Sequence, residues 1–443
     1  MYHYFPMPAL IRLRKIGLME RFHVTRNFLG LDSCVVSSAQ YTTQDSAPLT
    51  KEILFPALRT LIETHAPLGL QVEGDEATAN VYWVRLPNVD LSRIVELSGK
   101  EDLKETFEAR LARPVETQTD LPLWRIEVLA DNRVVFAVHH ALADGMSTLA
   151  FHLHLFRALQ QGSSGNTAPS VAVPTTNVFH PPLEGIISVR PSLPFIFAEL
   201  YNLVAPLAWR KARSAWTGNP TPTTPDLTTR VRMLTLSAPD VAALSDMWRT
   251  HGATLTSVVY MLTVTVLARM LAADPAHYKR VAAIVAVSMH GVAGLADDEI
   301  CDFPSVQDTM PFLTPVFSWP AAARVAHDLR AQKRKGREMI GMLRFLFGRY
   351  VPYFRDQFGK KRTAGFVISN LGRVQVPAVE GKWKLGATAF AQCDVVVGAA
   401  FSINITGDPT GAVNIVFAWG ERSIEPSFAE AFAKSFEEAF KEL

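Results

Sequence analysis

The stretch His139-His140-Ala141-Leu142-Ala143-Asp144-Gly145 follows directly on the apolar run Val-Val-Phe-Ala-Val at 134–138. A short run of β-branched and aromatic residues bounded by polar ones reads as a buried strand. The strand therefore delivers two imidazoles and a carboxylate at its mouth, and a sharp turn follows at the glycine. An imidazole titrating near neutrality can take a proton from a hydroxyl and return it within one turnover, and a carboxylate four residues on can fix the local geometry. That equipment suits group transfer, with His140, His139, Asp144 and Gly145 as the candidate catalytic residues.

With 443 residues, 48% of them apolar, the chain is long enough for two domains of ordinary size, each with a core. Forty-four Lys plus Arg against 42 Asp plus Glu leave a net charge of +2, so no global field recruits nucleic acid or an anionic membrane. Cys34, Cys301 and Cys393 lie far apart without a CxxC pair. This spacing fits a reducing, cytoplasmic setting and gives neither a disulfide framework nor a sulfur-rich zinc site. Arg12, Arg14, Lys15, Glu20 and Arg21 interrupt the apolar beginning before a signal-peptide core can form. The greasiest region, 186–209, is broken by Arg190, Pro191, Pro194, Glu199 and Pro206 and falls short of an apolar span of about 20 residues. It is expected as a helical cover packed on the core, with a tunnel lid or peripheral membrane contact as the lesser reading.

Polar, Gly/Pro-rich stretches at 162–182 and 217–229 bracket that region and divide the chain, giving expected units 1–170, 171–230 and 231–443. Before the division the pattern predicts helices over 9–20, 51–65, 103–111 and 146–159, and strands over 80–86, 124–129 and 133–139. After it the pattern predicts strands over 232–237, 281–287, 365–369, 395–405 and 412–419, and helices over 241–250, 255–271, 322–347 and 427–441. Strands and helices alternate in both halves, which argues an α/β fold.

The spacing His-His-x-x-x-Asp-Gly resembles the acyltransferase superfamily of chloramphenicol acetyltransferase, peptide-synthetase condensation domains and, nearest in appearance, fungal alcohol acetyltransferases. Glu20-Arg21-Phe22, Leu31-Asp32-Ser33-Cys34, Pro122-Leu123-Trp124-Arg125 and Ser369-Asn370-Leu371-Gly372 support it by their order along the chain. The resemblance implies two chloramphenicol-acetyltransferase-like lobes in pseudo-twofold arrangement with a central channel. It implies His140 as the base for an acceptor hydroxyl, acetyl-CoA or another acyl-CoA as co-substrate with no permanently bound cofactor, and a hydrophobic alcohol as acceptor. A carrier-protein thioester as donor, or a scaffold that binds or cyclises a polyketide or terpenoid without acyl transfer, are the alternatives. The partners so implied are small molecules, with a monomer expected and attachment to a lipid droplet or endoplasmic-reticulum surface left open.

In that superfamily an arginine after a strand of the second lobe often pairs with the motif aspartate. Here the corresponding stretch reads Val287-Ser288-Met289-His290-Gly291, without an arginine. Either Arg125 substitutes or the loop is held differently. Asp144 also reads as a helix N-cap for the residues after it. An oxyanion stabiliser is required as well, and Ser402, Asn404 and Asn370 are the candidate substrate-binding residues. A serine or asparagine at a strand end more often satisfies local backbone groups, the competing reading for each of the three.

Basic clusters at Lys333, Arg334, Lys335 and Arg337 and at Lys360, Lys361 and Arg362 can serve coenzyme A phosphates or be solvated faces. His152 and His154, two apart on a helix, point to different faces and cannot jointly chelate a metal, so no metal site is expected. Phe428, Phe432, Phe436 and Phe440 recur every fourth residue and form a stripe that must bury, with core docking favoured over membrane attachment.

Overall fold

The computed structural model describes residues 10–162, 165–204, 214–332, 335–376 and 378–443. The chain folds around two helix-covered sheets, the α/β class expected from the alternation of elements. The first sheet runs Trp383–Gln392, Val35–Thr43, Arg133–Val138, Trp124–Val128, Val95–Leu97 in spatial order. The second runs Thr229–Leu236, Val413–Gly420, Ala399–Gly407, Ala364–Arg373, Ala283–Ser288, Pro304–Thr309, with parallel pairing on both sides of Ala364–Arg373.

The motif strand, Arg133–Val138, sits at the centre of the first sheet, antiparallel to both neighbours. Residues on both of its faces are buried, which is why its sequence is continuously apolar rather than alternating. The helix Gly145–Gln161 returns across that sheet, stacking Phe151 on Phe136 at 3.8 Å between centroids. From the same helix His152 takes the hydroxyls of Ser37 and Tyr41 as partners at 3.0 and 3.1 Å, so it is a core residue. His154 is only partly buried, with Nε2 2.7 Å from the Asp298 carbonyl.

The first sheet is closed by a strand from the other end of the chain. Trp383–Gln392 pairs antiparallel with Val35–Thr43, although it begins 238 residues past the motif glycine, Gly145. Its Thr388 hydroxyl meets that of Thr406 in the second sheet at 2.7 Å, tying the sheets together. Neither Val35–Thr43 nor Trp383–Gln392 was expected from the pattern. The Ser, Gln and Thr of the first and the Gly386 of the second dilute the apolar signal, and pairing partners so distant leave no local trace.

Four other expectations are corrected. A helix over 9–20 is replaced by the strand Ile11–Lys15 and the helix Leu18–Phe28. Ile11 and Leu13 alternate with Arg12 and Arg14, the period of a strand, and Glu20 reaches back to accept from the Gly17 amide, which starts the helix late. The basic helix over 322–347 is broken into Trp319–Gln332, Gly336–Met342 and a 3₁₀ turn at Leu343–Leu346. Gly336 lies against Ser305, whose hydroxyl donates to its carbonyl at 2.6 Å. The strand expected over 395–405 begins only at Ala399, since the Gly398 amide closes a turn on the Val395 carbonyl.

The greasy segment forms Leu193–Val204 but does not pack as a core cover, because Leu193, Phe197, Leu200 and Tyr201 are exposed. Its start is held by Ser192, whose amide and hydroxyl donate to Glu338. Among the described residues no single helix is long and apolar enough to cross a membrane.

The phenylalanine stripe lies on the helix Pro426–Lys441, with Phe432, Phe436 and Phe440 buried in the second sheet's core and Phe428 partly buried over Trp216. Core docking therefore accounts for it. Phe436 is fully buried against Phe417, Phe432 and Phe440. Phe436→Ala should lower unfolding free energy by about 3–5 kcal/mol, read by urea titration.

Candidate active site

The motif turn is built from its own imidazole. The His139 amide donates to the Leu123 carbonyl at 2.9 Å, the Ala141 amide donates to His139 Nδ1 at 3.0 Å, and the Leu142 amide to the His139 carbonyl at 2.9 Å. Burial pushes the His139 pKa down to about 4, so the ring is neutral at neutral pH and its Nδ1 is spent as an acceptor inside the turn. His140 stands differently. Its side chain keeps 11% exposure, its Nδ1 is buried, and its Nε2 has no hydrogen-bond partner among the described residues and faces the remaining accessible space.

Asp144 ends the turn and does two things at once. Its Oδ1 accepts from the Ser147 amide and hydroxyl, both at 2.9 Å, which caps the helix Gly145–Gln161. Its Oδ2 lies 3.0 Å from His290 Nε2 in the second half of the chain. The Asp144 amide donates to the Cys301 carbonyl at 3.1 Å, and Ser147 Oγ bonds Cys301 at both its amide and carbonyl. Gly145 is required by close approach, since a Cβ there would fall 2.7 Å from Leu371 and 3.1 Å from Phe390, both from the second half.

The 290–302 segment also carries Asp302, whose side chain is fully buried. Its Oδ1 lies 3.4 Å from His140 Nδ1 and 3.5 Å from His23 Nε2. His23 comes from the helix Leu18–Phe28, and its ring stacks on that of His140 at 3.8 Å with an interplanar angle of 8°. Arg26 donates to His23 Nδ1 at 2.6 Å and pairs with Asp32 at 2.6 Å. Burial pushes His140 towards its neutral form, but the Asp302 carboxylate outweighs it and raises the pKa above 6.5. Burial raises Asp302 itself to about 7. Burial, reinforced by the charges of His140 and Arg26, holds His23 well below 6.5.

The donor atoms of His23, His140 and Asp302 lie within 4.8 Å of one another, close enough to be tested for a metal ion. An imidazole binds a metal along its own ring plane. Two nearly parallel rings 3.8 Å apart cannot both do so for one ion, so the stacked arrangement is unsuited to chelation.

Residues 99–305, which include the motif, His290 and Asp302, match the model of the alcohol acetyltransferase family. The chain is 26% identical to a probable alcohol acetyltransferase, FCK4, of Fusarium pseudograminearum over 80% of this chain and 79% of that one. The chain is an acyltransferase. Its fold is that of TRI3 trichothecene 15-O-acetyltransferase of Fusarium sporotrichioides, at a TM-score of 0.71, 14% identity and 99% coverage of both chains. The first condensation domain of the CDA synthetase is also similar, at a TM-score of 0.65, 17% identity and 98% and 96% coverage. The superfamily resemblance drawn from the motif thus holds.

In this acyltransferase the partner of Asp144 is neither an arginine nor Arg125, whose Nη1 donates to the Pro122 and Trp124 carbonyls. His290 takes the place, a residue within the Val287-to-Gly291 stretch whose pKa its Asp144 partner raises but which titrates where arginine does not. Both readings of Asp144, cap and ion-pair partner, are realised together.

The other candidates are committed to the fold. Asn404 Nδ2 donates to Ser402 Oγ at 2.9 Å and the Val416 carbonyl at 3.1 Å, while Ser402 Oγ donates to the Ala418 carbonyl at 3.4 Å. Asn370 donates to Thr256 Oγ1 and accepts from the Gly372 amide. Arg362 is buried, donating to the Asn219 and Val396 carbonyls, and Lys361 donates to the Ala215 carbonyl, so this pair is not a free anion site. Lys333 and Arg334 lie outside the described residues, and Lys335 is exposed.

His23, Arg26 and Asp302 were missed. The quoted stretches Glu20-Arg21-Phe22 and Leu31-to-Cys34 flank the first two, and only the fold turns that helix towards the motif.

The Asp144–His290 pair sets a pH window for stability. Burial works against the Asp144 charge, but His290 and the Ser147 donors hold its pKa below 3.8. Burial likewise works against the His290 charge, which Asp144 raises above 6.5. The Asp144 contribution is complete above 3.8 and lost as pH falls through its depressed value. The His290 contribution is complete below 6.5 and lost as pH rises through its elevated value. His290→Gln should therefore cost about 3 kcal/mol between these limits, and urea titrations from pH 4 to 9 should show the cost shrinking on the alkaline side.

Proposed function

We propose that this acyltransferase moves an acyl group, acetyl in the first instance, from coenzyme A to a hydroxyl of a hydrophobic alcohol or secondary metabolite, with His140 as the general base. The observation that carries the reading is the asymmetry of the His140 ring, whose Nδ1 edge is buried against Asp302 while Nε2 has no hydrogen-bond partner among the described residues and the side chain keeps 11% exposure. His139, spent on the turn, is an orienting residue, and Asp144 holds the turn in place through its cap and its ion pair.

In the proposed reaction Nε2 takes the acceptor hydroxyl proton as the oxygen attacks the thioester carbonyl. The resulting tetrahedral oxyanion re-forms its carbonyl and expels the coenzyme A thiolate, which takes the proton from Nε2. One residue serves as base and then acid, and the enzyme carries no covalent intermediate. Ser402 is the remaining candidate for the oxyanion, since its hydroxyl, which accepts from Asn404 at 2.9 Å, donates to the Ala418 carbonyl only over 3.4 Å. The lobes 1–170 and 231–443, joined by 171–230, would present donor and acceptor from opposite sides.

A secondary-metabolite acceptor is supported by the likeness to a trichothecene 15-O-acetyltransferase and by an apolar composition. The cytoplasm is supported as its compartment by three buried, unpaired cysteines. Peripheral membrane contact, if made, would use Leu193, Phe197, Leu200 and Tyr201 rather than the buried C-terminal stripe.

The test is thiol release from acetyl-CoA with a panel of hydrophobic primary and secondary alcohols, for the parent and for His140→Ala. The parent should turn over at least one of them without any carrier protein, and His140→Ala should lose about 10²–10⁴-fold in kcat while keeping its melting temperature. A His140→Ala enzyme as fast as the parent overturns the base assignment, and a parent active only with a carrier-bound thioester overturns coenzyme A as donor.

A further inference from the structure

Asp302 is a costly residue where it stands. Its side chain is fully buried, neither oxygen has a hydrogen-bond partner among the described residues, and burial is the main cause that raises its carboxyl to about 7, against the opposing pull of His140. A carboxyl buried without bonds disfavours folding, so its presence here calls for a task. Within ion-pair distance of it stand two imidazole nitrogens, His140 Nδ1 and His23 Nε2, themselves buried and without a hydrogen bond among the described residues.

We infer that Asp302, steadied by His23, is the positioning carboxylate that fixes the tautomer and basicity of His140. This rests on the reading of His140 as the base and adds residues to that site. The tautomers follow from the donors. Arg26 has no acceptor and stands 2.6 Å from His23 Nδ1, much closer than the Asp32 carboxylate at 3.7 Å, so that nitrogen offers its lone pair and neutral His23 carries its proton on Nε2, towards Asp302. His140 Nδ1 faces the same carboxylate oxygen, and a lone pair there would meet another lone pair. Its proton therefore sits on Nδ1, which leaves Nε2 bare for the acceptor hydroxyl.

The stacked rings hold the His140 plane, with His140 Nδ1 and His23 Nε2 both on the Asp302 side of the pair. Distances of 3.4 and 3.5 Å are longer than formed hydrogen bonds. Catalytic hydrogen bonds are often long before substrate binds and tighten as charge develops, and here His140 becomes cationic as it takes the hydroxyl proton.

The charged and titratable groups around His140 are Asp302, then Glu20, His23, Arg26 and Asp32 from the N-terminal segment, and His139 and Asp144 from its own turn. Of these, Asp302 is the carboxylate at ion-pair distance, so removing its charge should lower the His140 titration midpoint. Replacing His23 by phenylalanine keeps a ring in the stack but removes the competing N–H from Asp302. The freed carboxylate then favours protonated His140, and the midpoint should rise. Opposite signs from two neighbouring substitutions are not what general loosening of the site produces.

The experiment is nuclear magnetic resonance of ¹⁵N-histidine-labelled full-length protein from pH 5 to 9, with His140 assigned by its disappearance in His140→Gln. In the parent, neutral His140 should show the Nδ1–H tautomer. Asp302→Asn should lower the midpoint by about one unit and His23→Phe raise it, and Asp302→Asn should also cut kcat for acetyl-CoA turnover about tenfold or more. Unchanged midpoints, shifts of the same sign, or an Nε2–H tautomer in the parent overturn the assignment. Because the titration needs no substrate, it stands or falls independently of the turnover of His140→Ala.

Discussion

The contact between Asp144 and His290 joins the halves of the chain at the point where the proposed chemistry occurs. One carboxylate caps the helix that leaves the motif turn and, with its other oxygen, meets the His290 imidazole 146 residues away at 3.0 Å. Backbone bonds from Asp144 and side-chain bonds from Ser147 to Cys301 run alongside it. With both partners buried, neither charge is tolerable alone, so the turn and the 290–302 segment are ordered as a unit. That coupling also carries Asp302 to the back of His140.

Histidine in place of arginine changes the character of this junction. An arginine would hold its charge at every physiological pH, whereas His290 keeps it only while its raised pKa exceeds the ambient pH. The same economy recurs beside it, where the Arg26–Asp32 pair supports a neutral His23. Asp302, buried without a hydrogen bond among the described residues, lies against the ring proposed to act.

The strand Trp383–Gln392 is the second device holding the halves together. By completing the motif-bearing sheet it brings Phe390 to Gly145, while Leu371 of the second sheet approaches the same glycine. A side chain at that position would have to push both away. The motif glycine is thus explained by packing from the far half rather than by a positive φ.

The sequence by itself determined the α/β class, the motif strand and its turn, the acyltransferase resemblance and the burial of the phenylalanine stripe. These depend on local periodicity and on residue types at short spacing, which a chain displays before it folds. Tertiary structure alone decided that Val35–Thr43 and Trp383–Gln392 pair, that His290 answers Asp144, that Ser402 and Asn404 bond within the sheet, and that His23 and Asp302 flank His140. The reason is separation along the chain. A sheet edge, an ion pair or a stacked ring reports where two remote segments meet, and that meeting is set by the burial of both halves together, not by the residues next to either partner.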